Sequence, residues 1–177
     1  MLNRLFGRGR QEEAANALYG AIVAQARQPE FYRAGGVQDT VDGRFDLLAL
    51  HVFLVLHRLR ADGAPSAALG QALFDRMFAD MDQSLREMGV GDLSVGRKVR
   101  AMAQALMGRI AAYEPGLDDP AQLAAALERN LYRGKPVEAA ARDRVARYVA
   151  AAARTLVGQA TAALAQGQIA FPEFDAP

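Results

Sequence analysis

Two histidines, a scatter of aspartates and one tight group of cations are the side chains whose types and spacing invite a chemical reading. His51 and His57 stand six residues apart. On a helix six residues turn about 600°, which leaves the two rings about 120° apart around the axis. They cannot chelate one ion as an i, i+4 pair does. His51 reads as a core histidine hydrogen-bonded to a neighbour, and His57 as a helix-end cation beside Arg58 and Arg60. Asp39, Asp42 and Asp46 offer the oxygen ligands that hard cations take, but the rest of a calcium-loop pattern is missing. Capping and turn chemistry is the better account, with Asp42 as an N-cap and Asp46 adding negative charge to the first helical turn. Asp75 and Asp82, seven residues apart, share a helix face and suit a basic partner or a carboxylate pair. Ordinary i, i+4 pairing of Asp82 with Arg86 explains such charges more simply.

Arg97, Lys98 and Arg100 break a local rule. They crowd the first turns of an expected helix, where the backbone dipole is positive and acids are favoured; each costs about a few tenths of a kcal/mol there. A rule broken without local compensation marks a functional position or a place where another helix supplies the acids.

Much chemistry is excluded. The chain has no Cys, so it offers no disulfide, thiolate metal site or Cys nucleophile. It has no Gly-rich phosphate loop, dinucleotide fingerprint, His-Glu zinc helix or Ser nucleophile elbow. An acid–base enzyme lacks candidates, so no enzyme, metal or cofactor is expected, and the chemistry points to a binding or scaffolding protein. A net charge of +1 does not suggest nucleic-acid recognition.

The elements that must position these residues are helices. Ala is abundant, Trp is absent, and β-branched residues are sparse. From Leu47 to Leu56 every residue except His51 is apolar, within a stretch running from Arg44 to Arg60. A helix apolar all round must be buried on every side, and this one is shorter than the about 20 residues a bilayer requires. The expected fold is all-α, a single-domain bundle of about six helices around the central helix 44–60. A helix over 11–28 precedes it. Phe31 and Tyr32 read as core anchors of the connection that follows. Ser66 reads as a cap for a helix reaching Met88, whose stripe is Phe74, Met77, Phe78, Met81, Leu85 and Met88. That stripe suits core packing, or an adaptable groove for an apolar peptide. Further helices are expected from Ser94 to Tyr113, from an Asp119 cap to Leu131, and from Val137 to Ala165.

Residues 1–10 form a basic and apolar arm with Arg4, Phe6, Arg8 and Arg10. Such an arm is either a solvated terminus or a contact for an anionic membrane surface. The helical domain spans 11–170, and 171–177 reads as a loosely docked tail. The whole is expected to be soluble and intracellular.

Three consecutive segments give the chain a family resemblance. Asp39-Thr40-Val41-Asp42-Gly43-Arg44-Phe45 leads into the Leu-Leu-Ala-Leu-His-Val-Phe-Leu-Val-Leu core. Leu73-Phe74-Asp75-Arg76-Met77-Phe78-Ala79-Asp80-Met81-Asp82 runs on to Leu85-Arg86-Glu87-Met88-Gly89-Val90-Gly91-Asp92. Val95-Gly96-Arg97-Lys98-Val99-Arg100-Ala101-Met102 follows. Together they resemble the ubiquinol-cytochrome c chaperone family, assembly factors for the respiratory cytochrome bc complex. The resemblance implies an α-helical chaperone that engages newly made cytochrome b. It also implies, by analogy with mitochondrial members, a small partner protein and ribosome association. No presequence is expected, and the chain looks like a compact bacterial member, expected to be cytoplasmic and peripheral at the inner membrane. Arg44, Asp80, Asp82, Arg97, Lys98 and Arg100 lie in the matching segments and are the expected partner contacts. The alternative from another class is a peripheral membrane or lipid-binding helical protein that uses the 1–10 arm.

Overall fold

The computed structural model describes residues 2–174, except for the side chains of residues 2–8 and Pro65. Among the described residues the architecture is all helical. Six helices are long: α1 (Leu2–Ala26), α3 (Val41–Ala61), α4 (Ala64–Glu87), α5 (Asp92–Tyr113), α6 (Pro120–Asn130) and α7 (Ala139–Val157). Two are short, α2 (Pro29–Arg33) and α8 (Thr161–Leu164), and a 3-10 turn at Glu114–Leu117 joins α5 to α6. The expected bundle of about six helices is therefore present, with α3 at its centre touching α1, α4, α5 and α7.

Every residue of α3 from Asp46 to Val55 is buried. An amphipathic helix would expose a residue every turn; this one has neighbours all round. Burying each of its Leu, Val and Phe side chains contributes about 1.5–3 kcal/mol, which makes α3 the organising element. It starts one turn earlier than expected. Thr40, not Asp42, caps it: the Thr40 hydroxyl accepts from Gly43 N–H at 3.1 Å. Gly43 is required there, because a Cβ would collide with the Gln38 carbonyl. Thr is nearly as good an N-cap as Asp, and tertiary packing decided between them.

Other boundaries moved for identifiable reasons. Pro29 opens α2 at its first position, where a missing N–H costs nothing. Phe31 is fully buried, as an anchor should be, and the Tyr32 hydroxyl donates to the Ala26 carbonyl at 2.9 Å. Helix α4 begins at Ala64 with Gly63 as its cap; Ser66 sits inside the first turn, buried, and its hydroxyl donates to Asp62 at 3.0 Å. Helix α5 begins at Asp92 rather than Ser94. Asp119 caps α6 as expected, accepting from the N–H groups of Ala121 and Gln122 at 2.9 and 3.2 Å.

The long C-terminal helix stops at Val157, short of Ala165. The cause is Arg58, a buried arginine near the end of α3. Its guanidinium donates to the Leu156 carbonyl and the Gln159 carbonyl, each at 2.9 Å, and pairs with Asp62 at 2.5 Å. It takes carbonyls that a continuing helix would have used internally. The chain then turns back. Gln159 holds Ala170 by two hydrogen bonds of 2.7 and 2.9 Å, and Phe174 packs into the core against Phe31, ring centroids 4.5 Å apart. The expected loosely docked tail is thus packed through Phe174; residues 175–177 lie outside the described residues.

His51 is a core histidine, as expected. Its Nδ1 donates to the Leu47 carbonyl at 2.8 Å and its Nε2 accepts from the Tyr148 hydroxyl at 2.9 Å. The Tyr148 oxygen accepts in turn from Gln25 at 3.0 Å, linking α1, α3 and α7. Burial lowers the His51 pKa to about 4, so the ring is neutral at pH 7. His57 Nδ1 lies 3.3 Å from the Glu114 carboxylate, which Arg60 also reaches at 2.9 Å.

Candidate functional site

The Phe–Met stripe of α4 divides between core and groove. Leu73 and Met77 are fully buried. Met81, Leu85 and Met88 instead line a groove of about 410 Å³ between α1, α3, α4 and α5. Phe74 lines a second cavity of about 450 Å³ with Leu56, Met107 and Ile110. The stripe thus faces the core in some turns of the helix and a groove in others.

The first groove is built mainly from four long helices. Helix α1 supplies Val23 and Ala26, with Arg27 just past its end, α3 supplies Val41, Arg44, Phe45 and Leu48, α4 supplies Met81 and Leu85, Met102 comes from α5, and Tyr32 is added from the short α2. Three methionines, Met81, Met88 and Met102, give it unbranched, polarisable walls that refit to different apolar shapes. Val41 and Met88 are 69% and 56% exposed, so apolar surface is available at the groove before any partner arrives. Arg27, Arg44 and Glu87 add charges of both signs to the lining.

A buried ionic cluster stands behind this wall. Asp46 has no exposed surface, yet its carboxylate accepts from Arg109 Nη2 on α5 at 2.5 Å and from Arg133 Nε and Nη2 beyond α6. Arg133 also reaches Asp42 at 2.9 Å and adopts a left-handed backbone with φ of 56°. Such a conformation is uncommon for a residue with a side chain, so the ion pairs and the turn at Gly134 hold it. The Arg109 guanidinium also lies over the ring of Phe45, 5.6 Å from its centroid. The cluster therefore fixes one groove residue through a cation–π contact. Asp46 is not a first-turn surface charge; burial and two arginines give it a structural task that sequence reading missed. The one sequence signal was an acid standing directly against the most apolar run of the chain.

The expected partner contacts fall in different places. Arg44 and Asp80 are brought together as lining residues of the groove. Arg44 is exposed and pairs with Asp39 at 2.6 Å, which holds the Asp39 carboxyl below its usual range. Asp80 already accepts from the Tyr19 hydroxyl at 2.8 Å and pairs with Arg76 at 3.5 Å, so it fastens α4 to α1. Burial, followed by that hydrogen bond, pushes the Tyr19 hydroxyl well above its normal pKa. Asp82 lies outside the groove lining and pairs with Arg86 at 2.5 Å, the i, i+4 bond its spacing suggested. Arg97, Lys98 and Arg100 are exposed on α5, and none meets a carboxylate among the described residues. The side chains of Arg4, Phe6 and Arg8 lie outside the described residues; Arg10 is exposed. Tyr32, expected as a core anchor, is also a groove residue, and Phe45 and Met102 are groove residues that were not expected as contacts.

Among the described residues no group of three or more His, Cys, Asp or Glu is placed to hold a metal ion, and no helix is long and apolar enough to cross a membrane. The arrangement is an apolar groove with a charged lining, shaped for holding.

A family model described as ubiquinol-cytochrome C chaperone matches residues 33–171, which include α3, α4 and α5 entire. The chain belongs to this family. Its curated relatives include a ubiquinol-cytochrome-c reductase complex assembly factor 1 from Xenopus laevis, 29% identical over 67% of this chain and 60% of that protein. The assembly factor 1 of Mus musculus is 28% identical over 69% of this chain and 42% of its own length. The chain thus spans three-fifths or less of these relatives. The crystal structure of the Cbp3 homolog from Brucella abortus superposes with a TM-score of 0.84 at 36% identity, covering 98% of both chains. The family is described as a chaperone and not as an enzyme class, and the matched region holds the Arg44 lead-in, the groove methionines Met81, Met88 and Met102, and the α5 cations, while the α1 side of the groove lies outside it.

Proposed function

We propose that this chain is an assembly chaperone that binds newly made cytochrome b during biogenesis of the ubiquinol-cytochrome c reductase complex, and that the α1–α3–α4–α5 groove receives an apolar client segment. The observation that carries the reading is the groove itself: about 410 Å³, walled by Met81, Met88 and Met102, three residues inside the span matched by the chaperone family. An unassembled membrane subunit presents apolar segments that need temporary cover, and a methionine-rich surface accommodates them without demanding one shape. The mechanism is holding. Apolar burial supplies affinity, while Arg44 in the groove lining orients the partner. The work is done at the inner membrane, where such a client resides.

A deletion strain tests this reading. Loss of the chain lowers haem-loaded cytochrome b and cytochrome bc activity, and a plasmid copy restores both. Normal levels in the deletion strain contradict the assignment.

A further inference from the structure

We propose that the corner between α4 and α5 docks on the anionic phospholipid surface of a bilayer, with Leu93 entering the headgroup–acyl boundary. The inference concerns the turn at the edge of the groove, which shares Met88 with the groove lining, and does not rest on the identity of the client.

Leu93 is 99% exposed, the most exposed large apolar side chain of the described residues, and Met88 at the other side of the same turn is 56% exposed. Between them run Gly89, Val90, Gly91 and Asp92, where the chain reverses and Gly89 takes a φ of +80°. Two apolar side chains thus flank the reversal at one end of a helix pair. A rigid protein partner would need a matching pocket for each, whereas a fluid surface accepts such protrusions without one.

The charges behind the corner complete the fit. On α5, Arg97 stands four residues and Arg100 seven residues from Leu93, about 40° and about 20° from it around the axis. Lys98 follows at nearly the level of Arg97, about 140° from Leu93, on the far flank. Along the helix these cations sit about 6–10 Å above Leu93. The interfacial layer of one leaflet is about 5–7 Å deep. With Leu93 at the acyl boundary, Arg97 and Lys98 reach the phosphate level and Arg100 lies just outside it. None of the three is neutralised within the described chain; Arg97 makes one weak bond, 3.4 Å, to the Ser94 hydroxyl. Of the acids nearby, Asp92 and Asp82 share the single cation Arg86, and Glu87 accepts from the neutral Gln83 amide at 2.8 Å and keeps its charge, so the three cations outweigh this remainder by one charge. Charge complementarity therefore favours an anionic partner. The cations that are misplaced for the helix dipole are well placed for phosphate.

The expected strengths follow. Each cation near an anionic surface adds about fivefold to binding, so three add about a hundredfold. Burying the Leu93 side chain adds roughly ten- to a hundredfold more.

The chain has no Trp, so Leu93→Trp in the full-length protein provides a single fluorophore at the corner. Vesicles of phosphatidylcholine with phosphatidylglycerol should shift its emission to the blue, and pure phosphatidylcholine vesicles should not. Val157→Trp, a control at another exposed apolar position, should stay unchanged. In flotation, the combined variant Arg97→Gln, Lys98→Gln and Arg100→Gln should bind about a hundredfold more weakly, with an unaltered helical spectrum. An unshifted emission from the Leu93→Trp protein while anionic vesicles are bound assigns the contact to residues 1–10 or elsewhere and overturns the proposal. So does absence of any vesicle binding, which leaves an acidic protein as the partner of these cations, and so does a triple variant that floats like the parent. No client is present in the assay, so its outcome is independent of the cytochrome b reading.

Discussion

The carboxylate of Asp46 on α3 lies 2.5 Å from the Arg109 guanidinium on α5, and that guanidinium covers the ring of Phe45 in the wall of the groove. The central helix therefore does more than fill the core. It anchors an ion pair that sets the distance between α3 and α5 and supports the surface proposed to receive the client.

Asp46→Ala leaves Arg109 and Arg133 without their shared buried carboxylate. Removing one partner of a buried pair costs about 3–5 kcal/mol. Thermal unfolding should move down by about 10 °C, at about 2–4 °C per kcal/mol for a chain of this size. A shift below about 3 °C would show that the cluster is dispensable for stability.

Acid should weaken the fold in two stages. His51 has a folded pKa of about 4 against an ordinary value of 6.5, so the unfolded chain takes up a proton that the native state refuses. Stability is full above about pH 6.5, declines as pH falls towards 4, and loses no more to this group below that; the total is about 3 kcal/mol. Asp62, held low mainly by its bond from Arg58, contributes in the other sense of charge: its stabilisation is present above 3.8 and is lost as pH falls through its folded value. Urea titrations of the parent and His51→Phe between pH 7 and 4 separate them. The variant should show a flatter slope across that interval even though its absolute stability is lower; an unchanged slope would rule His51 out as the titrating group.

The Arg58 clamp predicts a local effect. Arg58→Ala removes the charged donors to the carbonyls of Leu156 and Gln159, and a hydrogen bond to a charged group contributes about 1.5–3 kcal/mol. Amide exchange should quicken over residues 158–174 before it quickens in α1 or α3. Uniform acceleration across the chain would mean that the returning segment is not a separate unit.

How far the sequence disclosed this molecule can be judged from particular residues. The apolar run after Asp46 located the central helix because a run without a polar face has only one environment open to it. Asp119-Pro120 located a helix start because cap and proline act locally. Non-local bonds were not legible in this way. The end of α7 depends on Arg58, some hundred residues earlier, and the role of Asp46 depends on Arg109 and Arg133. Periodicity showed that Met81 and Met88 lie on an apolar stripe, yet only the packing of several helices leaves them around one groove with Met102 while Met77 is sealed. The α5 cations stood out in sequence because they contradict the helix dipole, and their lack of acidic partners keeps them available.

The groove's role in holding a client is separable from stability. Met88 is largely exposed, so Met88→Glu should leave thermal unfolding within about 1 kcal/mol of the parent, the usual range for surface positions being about 0.5 kcal/mol. Its effect should appear in co-purification, as at least a tenfold loss of captured cytochrome b. Retained capture would remove Met88 from the contact.

The most direct measurement places a photo-crosslinking side chain at Met88 in the intact protein and irradiates cells while cytochrome b is being made. The same probe at Val157, on the far helix α7, serves as control. Newly made cytochrome b should be trapped by the probe at 88 and not by the probe at 157. Equal trapping at both positions, or a different protein captured at 88 with no cytochrome b, would contradict the assignment of this groove as the client site.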